Sequence, residues 1–239
     1  VFMSKNSSAN SLKRFLLLRT DRIGDTILTL PAVTALRSQY QDAFIAFQAQ
    51  PYTVPLIEQY EGIDISLSYE PHGRHKGWQG LSKLSLELQE LNFDAALLFY
   101  PRLKLAFAIA KAGIPVRVGT GYRWYSFLLT ERIFEHRKDC QKHEAEYNFS
   151  LLESLLPDKN PQLQYKFKQW LPEPWWEDFR TVLNSKDYVI VHPGYGASAP
   201  NLNNEQYRLI IRLLLEKTDW TVLLTGIAEE ENLVHEIAA

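Results

Sequence analysis

Short apolar runs alternate along this chain with longer stretches in which apolar residues recur every three or four positions. Phe15-Leu16-Leu17-Leu18, bounded by basic residues, has the length of a buried strand. An amphipathic segment follows and ends near Tyr40. Pro31 lacks a backbone donor and clashes inside a helix, so it is expected to open the main helix, with Thr29 or Leu30 at the cap and residues 25–30 forming a separate turn. Ala32, Val33, Ala35, Leu36 and Tyr40 then make the buried stripe. Strands are also predicted at 44–47, 63–69, 95–99 and 114–119. Helices are predicted at 54–60, around 81–91 and over 103–112, the last stopped by Gly113. Glu70 to Gly80 reads as loop. A helix over 143–156 shows Tyr147, Leu151, Leu152 and Leu155 on its apolar face, and Pro157 ends it. This alternation predicts an α/β fold with a parallel, doubly wound sheet and right-handed crossovers.

Pro157, Pro161, Pro172 and Pro174 punctuate the next stretch, which also holds Trp170, Trp175 and Trp176, so 157–186 reads as a connection between domains. A new unit then begins: a strand at 188–192, the loop from Pro193 to Ser198, a helix at 205–217, a strand at 221–225, Gly226, and a helix from near Glu229. The expected domains are 1–156, the connection 157–186, and 187–239. About 50 residues bury too little surface for an independent α/β domain. The second domain is therefore expected to be cut short here, or to extend the first sheet.

Composition narrows the classes. The chain has 239 residues, 46% hydrophobic and 23% charged, as in ordinary globular proteins. No run approaches the roughly 18 apolar residues of a membrane span, and Val1 to Lys13 is polar, so the protein reads as cytoplasmic. The single cysteine, Cys140, fits a reducing compartment and suggests no nucleophile. His72 and His75, in a loop without further ligands, are a weak metal signal. Net charge is −2, but from Arg102 to His143 nine Lys or Arg face three acids, an excess of about +6. That stretch is either a solvated surface or a site for an anionic partner. The interleaved Tyr122, Trp124, Tyr125 and Phe127 suit a sugar, a lipid headgroup or a nucleic acid.

Two loops carry candidate chemistry. The first, Arg19 to Pro31, joins the first strand to its helix, beyond the carboxyl end of the strand, where open α/β sheets bind ligands. Gly24 would let backbone approach a ligand and Asp25 would bring a base. Alternatively, Asp25 is a helix N-cap and Gly24 supplies an unusual φ. The second, His192-Pro193-Gly194-Tyr195-Gly196-Ala197-Ser198, has the composition of a phosphate cradle at a helix start. It is neither a P-loop nor a dinucleotide fingerprint.

Taken together the two loops are more specific. Arg19-Thr20-Asp21-Arg22-Ile23-Gly24-Asp25, with Leu28-Thr29-Leu30-Pro31-Ala32 and Ala35-Leu36-Arg37, resembles the N-terminal signature of glycosyltransferase family 9, the lipopolysaccharide heptosyltransferases. The resemblance continues through Phe93-Asp94, Ala112 to Gly119, His192-Pro193-Gly194 with Ser198, and Leu224-Thr225-Gly226 with Glu230. It implies two Rossmann-like domains of the GT-B type, with the acceptor bound mainly by the first and ADP-heptose by the second. The implied reaction is an inverting, metal-independent transfer of heptose to the inner core of lipopolysaccharide. The absence of an Asp-X-Asp triplet agrees with that. Asp25 matches the general base. Gly194 and Ser198 match the loop holding the diphosphate, and Thr225, Gly226 and Glu230 complete the implied donor site. Acceptor contacts are expected from Arg22, Gly24 and Arg123.

The implied partners are a nucleotide sugar and an anionic, lipid-linked saccharide, with peripheral contact at the inner membrane, no nucleic acid and no metal or other cofactor. Many members carry a basic residue and a Trp after the phosphate loop, where this chain has Pro200-Asn201-Leu202-Asn203. Because later nucleotide-binding elements of the family would follow Ala239, this segment alone is expected to turn over poorly. Two other readings share the residues: a nucleotide-sugar-binding protein without catalysis, and a different nucleotide-sugar enzyme of α/β class.

Overall fold

A computed structural model describes residues 12–135, 141–156, 164–168, 183, 187–195 and 200–238. The chain divides into two compact units, Val1–Trp170 and Leu171–Ala239. The boundary falls inside the stretch expected to connect two domains. Within that stretch, residues 164–168 lie against the first unit: Phe167 pairs with Tyr60 in an isolated antiparallel bridge, and their rings meet edge to face at 5.1 Å.

The first unit is a six-stranded parallel sheet. Its strands are β1 (Arg14–Leu18), β2 (Phe44–Ala49), β3 (Ile65–Ser68), β4 (Ala95–Leu98), β5 (Val116–Thr120) and β6 (Glu131–Ile133), in the order β3-β2-β1-β4-β5-β6. The order reverses between β1 and β4, which is where a doubly wound sheet opens its ligand crevice. Helices α1 (Ile23–Ile27), α2 (Pro31–Gln39), α3 (Val54–Glu58), α4 (Gly77–Glu90), α5 (Leu103–Lys111) and α6 (Glu144–Leu152) fill the connections. Pro31 opens α2 and Leu30 caps it.

Alternate residues of each central strand feed opposite faces. Phe15 and Leu17 pack with α2 and α6 residues such as Leu36 and Leu152, whereas Leu16 and Leu18 pack with α4 and α5 residues such as Leu84 and Ile109. All four strand residues are fully buried. A strand covered on both faces must be continuously apolar, and each such side chain contributes about 1.5–3 kcal/mol.

Two local features differ from expectation, and one weak signal is resolved. The helix expected near Leu81 starts at Gly77, so part of the 70–80 loop is its first turn. β6 was not expected. In it Glu131-Arg132-Ile133 pairs with only 118–120, too short a run for a period to register. His75 is a packing residue: it is buried, stacks on Tyr69 at 5.6 Å, accepts at Nδ1 from the Glu70 N–H, and meets Glu87 Oε2 through Nε2 at 3.1 Å. Gly113, with φ +76°, closes α5. Its N–H donates to Ala110 and that of Ile114 to Ile109, a pair of bonds that requires a left-handed residue at this position.

The second unit contains β7 (Tyr188–Val191) and β8 (Thr221–Leu224), a parallel pair, with α7 (Asn204–Lys217) and α8 (Glu231–Ala238). Asn203 caps α7, accepting from the Gln206 N–H while Gln206 accepts from its own. No helix among the described residues is long and apolar enough to cross a membrane.

Candidate active site

The chain leaves β1 at Arg19 and turns at once into α1. The N-cap of α1 is Arg22, in extended conformation and without a side-chain cap bond, and Asp25 is the third helical residue. The cap reading of Asp25 is therefore replaced. Gly24 does not adopt a positive φ either. A Cβ added there would meet nothing within 4 Å, so its contribution is open space beside Asp25.

What fixes Asp25 is Arg19. This guanidinium is 4% exposed, and a buried arginine must be paired. Its Nε donates to Asp21 Oδ1 at 2.7 Å, its Nη2 reaches Asp25 Oδ1 at 3.0 Å, and its Nη1 faces Glu144 Oε1 at 3.5 Å and Asn148 Oδ1 at 3.3 Å. Asn148 in turn donates to Leu28 O and Thr29 Oγ1, and the Thr29 hydroxyl donates to the carbonyl of Asp25. Glu144 and Asn148 come from α6, whose start is set by a reciprocal cap between His143 and Glu146. Helix α6 thus clamps the β1–α1 turn from far along the chain.

The Asp25 carboxylate remains 34% exposed, so one side is gripped and the other is open to a ligand. Burial pushes the Asp21 carboxyl above the usual carboxylate range, with the Arg19 charge and hydrogen bond opposing.

Along the same sheet edge, the residues after β4 and β5 line a cleft of about 830 Å³, with Tyr100, Arg102, Tyr122, Arg123, Trp124 and Glu135 on its walls. The Arg102 guanidinium lies 4.5 Å over the Tyr100 ring. Arg123 belongs to this cleft, while the exposed Arg22 and Gly24 sit beside Asp25, so the residues expected to contact an acceptor fall into two groups.

Gly194, Thr225, Gly226 and Glu230 come together in the second unit, beyond the carboxyl ends of β7 and β8. The Ile227 N–H donates to Glu230 Oε2 at 3.0 Å, and His192 Nδ1 meets Thr225 Oγ1 at 3.1 Å. A Cβ on Gly194 would overlap the Glu230 carboxylate, and one on Gly226 would meet Val234 Cγ2 at 2.9 Å and that carboxylate at 3.2 Å, so glycine at both positions lets the Glu230 side chain lie where it does. Ser198 lies outside the described residues, as does Cys140. Asn201, in the segment that departs from the family pattern, donates to Pro193 O and accepts from the Tyr207 hydroxyl, tying the loop to α7.

Sequence reasoning missed Arg19, Glu144 and Asn148. A signal was present: a basic residue directly after a buried strand, with carboxylates two and six positions on. Its partners on α6 left no local trace.

No protein-family model matches the chain. A Haemophilus influenzae protein named "Putative glycosyltransferase" is 27% identical over 236 residues, which is 95% of this chain and 67% of that protein. A glycosyl transferase family 9 structure from Veillonella parvula aligns with a TM-score of 0.78 at 17% identity, over 95% of this chain and 66% of that one. The E. coli heptosyltransferase WaaC with ADP aligns at 0.69 and 18% identity, over 94% of this chain and 71% of that one. The homologue and these structural neighbours are glycosyltransferases, and the fold of this chain is theirs. More particularly, it is the fold of family 9 and of the heptosyltransferases. The chain spans about two thirds of the length of these relatives.

Proposed function

We propose that the protein transfers a sugar from a nucleotide-sugar donor to a hydroxyl of an anionic, lipid-linked saccharide, with Asp25 as general base. The observation that carries this reading is the Asp25 carboxylate, half-open at the carboxyl end of β1 and oriented by a buried guanidinium. A base held in one position by packed neighbours is ready for proton transfer. It takes the proton of the acceptor hydroxyl as that oxygen bonds to the anomeric carbon. The bond from that carbon to the diphosphate breaks, and its electron pair leaves with the diphosphate. Attack from the face opposite the leaving group inverts the anomeric centre without a metal.

The donor is assigned to the cluster of Gly194, Thr225, Gly226 and Glu230, and to Ser198 of the same glycine-rich loop sequence, where backbone amides would meet the charge of the leaving group. ADP-heptose is the proposed donor and the lipopolysaccharide inner core the proposed acceptor. In support, WaaC has been solved with ADP and with ADP-2-deoxy-2-fluoro heptose. Arg22, Gly24 and Arg123 are assigned to the acceptor. The domains proposed are 1–156 for the acceptor and 187–239 as the start of the donor domain, in a cytoplasmic protein.

The test is Asp25→Asn in the full-length protein, with ADP released from ADP-heptose measured against a core acceptor. We expect kcat to fall by about 10² or more, with donor affinity and fold unchanged. Transfer at the wild-type rate would remove Asp25 from the role of base.

A further inference from the structure

Asn148, on α6, is 1% exposed, and the direction of its amide is dictated by what surrounds it. Arg19 can only donate, so the side-chain oxygen of Asn148 must face the guanidinium, and Nη1 donates to it at 3.3 Å. The carbonyl of Leu28 can only accept. The amide nitrogen therefore faces the other way and donates at 3.1 Å both to Leu28 O and to Thr29 Oγ1.

These bonds close a circuit on Asp25. From Asn148 Oδ1 it runs through the guanidinium to the Asp25 carboxylate, where Nη2 reaches Oδ1 at 3.0 Å. From Asn148 Nδ2 it runs through the buried Thr29 hydroxyl, which donates to the Asp25 carbonyl at 2.8 Å. Asn148 thus holds the side chain of Asp25 through one atom and its main chain through another. A residue that only closed the turn would need no more than the main-chain branch. The same helix also borders the cleft: Leu151, three residues after Asn148 and so on the same face of α6, lines the cleft to which Arg123 belongs. Base and cleft are set from one rigid element.

We propose that Asn148 is a positioning residue for the transfer, fixing the Asp25 carboxylate against an acceptor hydroxyl presented from the cleft. The inference rests on the reading of Asp25 as the base and adds a residue to it. Arg19 takes Oδ1 of the carboxylate, so the acceptor proton goes to Oδ2.

The experiment is steady-state transfer from ADP-heptose to a core acceptor by the full-length protein, in Asn148→Leu, in Asp25→Asn and in the double variant. Leucine keeps the branching of the side chain and removes both branches of the circuit. In Asn148→Leu kcat should fall about tenfold or more, because a small misplacement of a reacting group is costly in rate. KM for the acceptor should stay within about twofold of the wild type, since no binding contact is removed. A residue that acts through Asp25 has nothing further to lose once that carboxylate is gone. The double variant should therefore be as slow as Asp25→Asn alone, whereas an independent structural loss would multiply. Thr29→Val, which cuts only the main-chain branch at constant shape, should lower kcat about threefold at the same KM. It decides the matter where Asn148→Leu does not fold. Wild-type kcat in the deciding variant, beside a slow Asp25→Asn, would overturn the proposal and leave the base in place. So would a double variant slower than Asp25→Asn by the full factor of Asn148→Leu. A wild-type rate in Asp25→Asn would remove the base itself, and this inference with it.

Discussion

The two units hold their candidate residues by different physics. At the end of β1, Asp25 is fixed through buried side chains: Arg19, and behind it Asn148 and Glu144 on a helix more than a hundred residues away. In the second unit, Glu230 is fixed by a backbone N–H three residues earlier and by the room that Gly194 and Gly226 leave. Its surroundings bury little. Every residue of α7 is at least partly exposed, and so are Tyr188 and Ile190 of β7. The first arrangement is a product of long-range packing and the second of local sequence. Damage to the first should therefore spread into stability, and damage to the second should stay in binding.

The largest expected effect follows from removing the guanidinium. Arg19→Leu leaves the carboxylates of Asp21, Asp25 and Glu144 crowded around an apolar side chain and removes the Arg19 hydrogen bond to Asn148 Oδ1. Breaking a buried ionic group in this way costs about 3–5 kcal/mol. Urea unfolding of the first unit should show it. Arg22→Leu, three residues on and exposed, should stay within about 0.5 kcal/mol. Similar losses in both variants would mean that the buried guanidinium is not what holds the first site.

This contrast also explains what could be read from the sequence. The strands were legible because burial on both faces demands unbroken apolar runs, and Pro31 marked the start of α2 because a helix accepts proline without loss only in its first turn. In the second unit, Gly194 was legible as part of a glycine-rich loop with the composition of a phosphate cradle, whereas Thr225, Gly226 and Glu230 were reached only through the family resemblance, because the carboxylate they surround leaves no local pattern. Asp25 was found, but its alternative as an N-cap was set aside only once Arg22 occupied that position. Arg19 was read only as the first residue of the loop and of the family signature, with no role of its own. Its burial depends on Asn148 and Glu144, and nothing local distinguishes those two from other polar residues on α6.

An intermediate effect is expected in the second unit. Gly194→Ala places a methyl group where the Glu230 carboxylate lies. That carboxylate is the end of a flexible side chain, so it can move aside at little cost to folding. The nucleotide contact assigned to it should not survive the move. ADP affinity measured by calorimetry should fall about tenfold, roughly 1.4 kcal/mol, while the unfolding midpoint stays unchanged. A variant that binds as the wild type does would separate Glu230 from the nucleotide. One that unfolds early would make this site as dependent on packing as the first.

The smallest effect tests the first unit from within. Asp21 shares Arg19 with Asp25, and burial raises its carboxyl pKa despite that arginine. A folded-state pKa above the unfolded value means that the folded protein binds the proton more readily. This term favours folding below the unfolded value and is lost as pH rises through the folded one. At neutral pH the ionised Asp21 therefore carries a net desolvation cost. Asp21→Asn removes the charge and keeps an oxygen to accept from Arg19 Nε. At neutral pH the variant should match or exceed the wild type by up to about 1 kcal/mol, and the gain should fade as pH drops through the carboxylate range. Unfolding followed from neutral to acid pH checks both the sign and the fading. A destabilisation near that of Arg19→Leu would instead make the Asp21 ion pair the contact that holds the turn, with Asp25 merely resting against it.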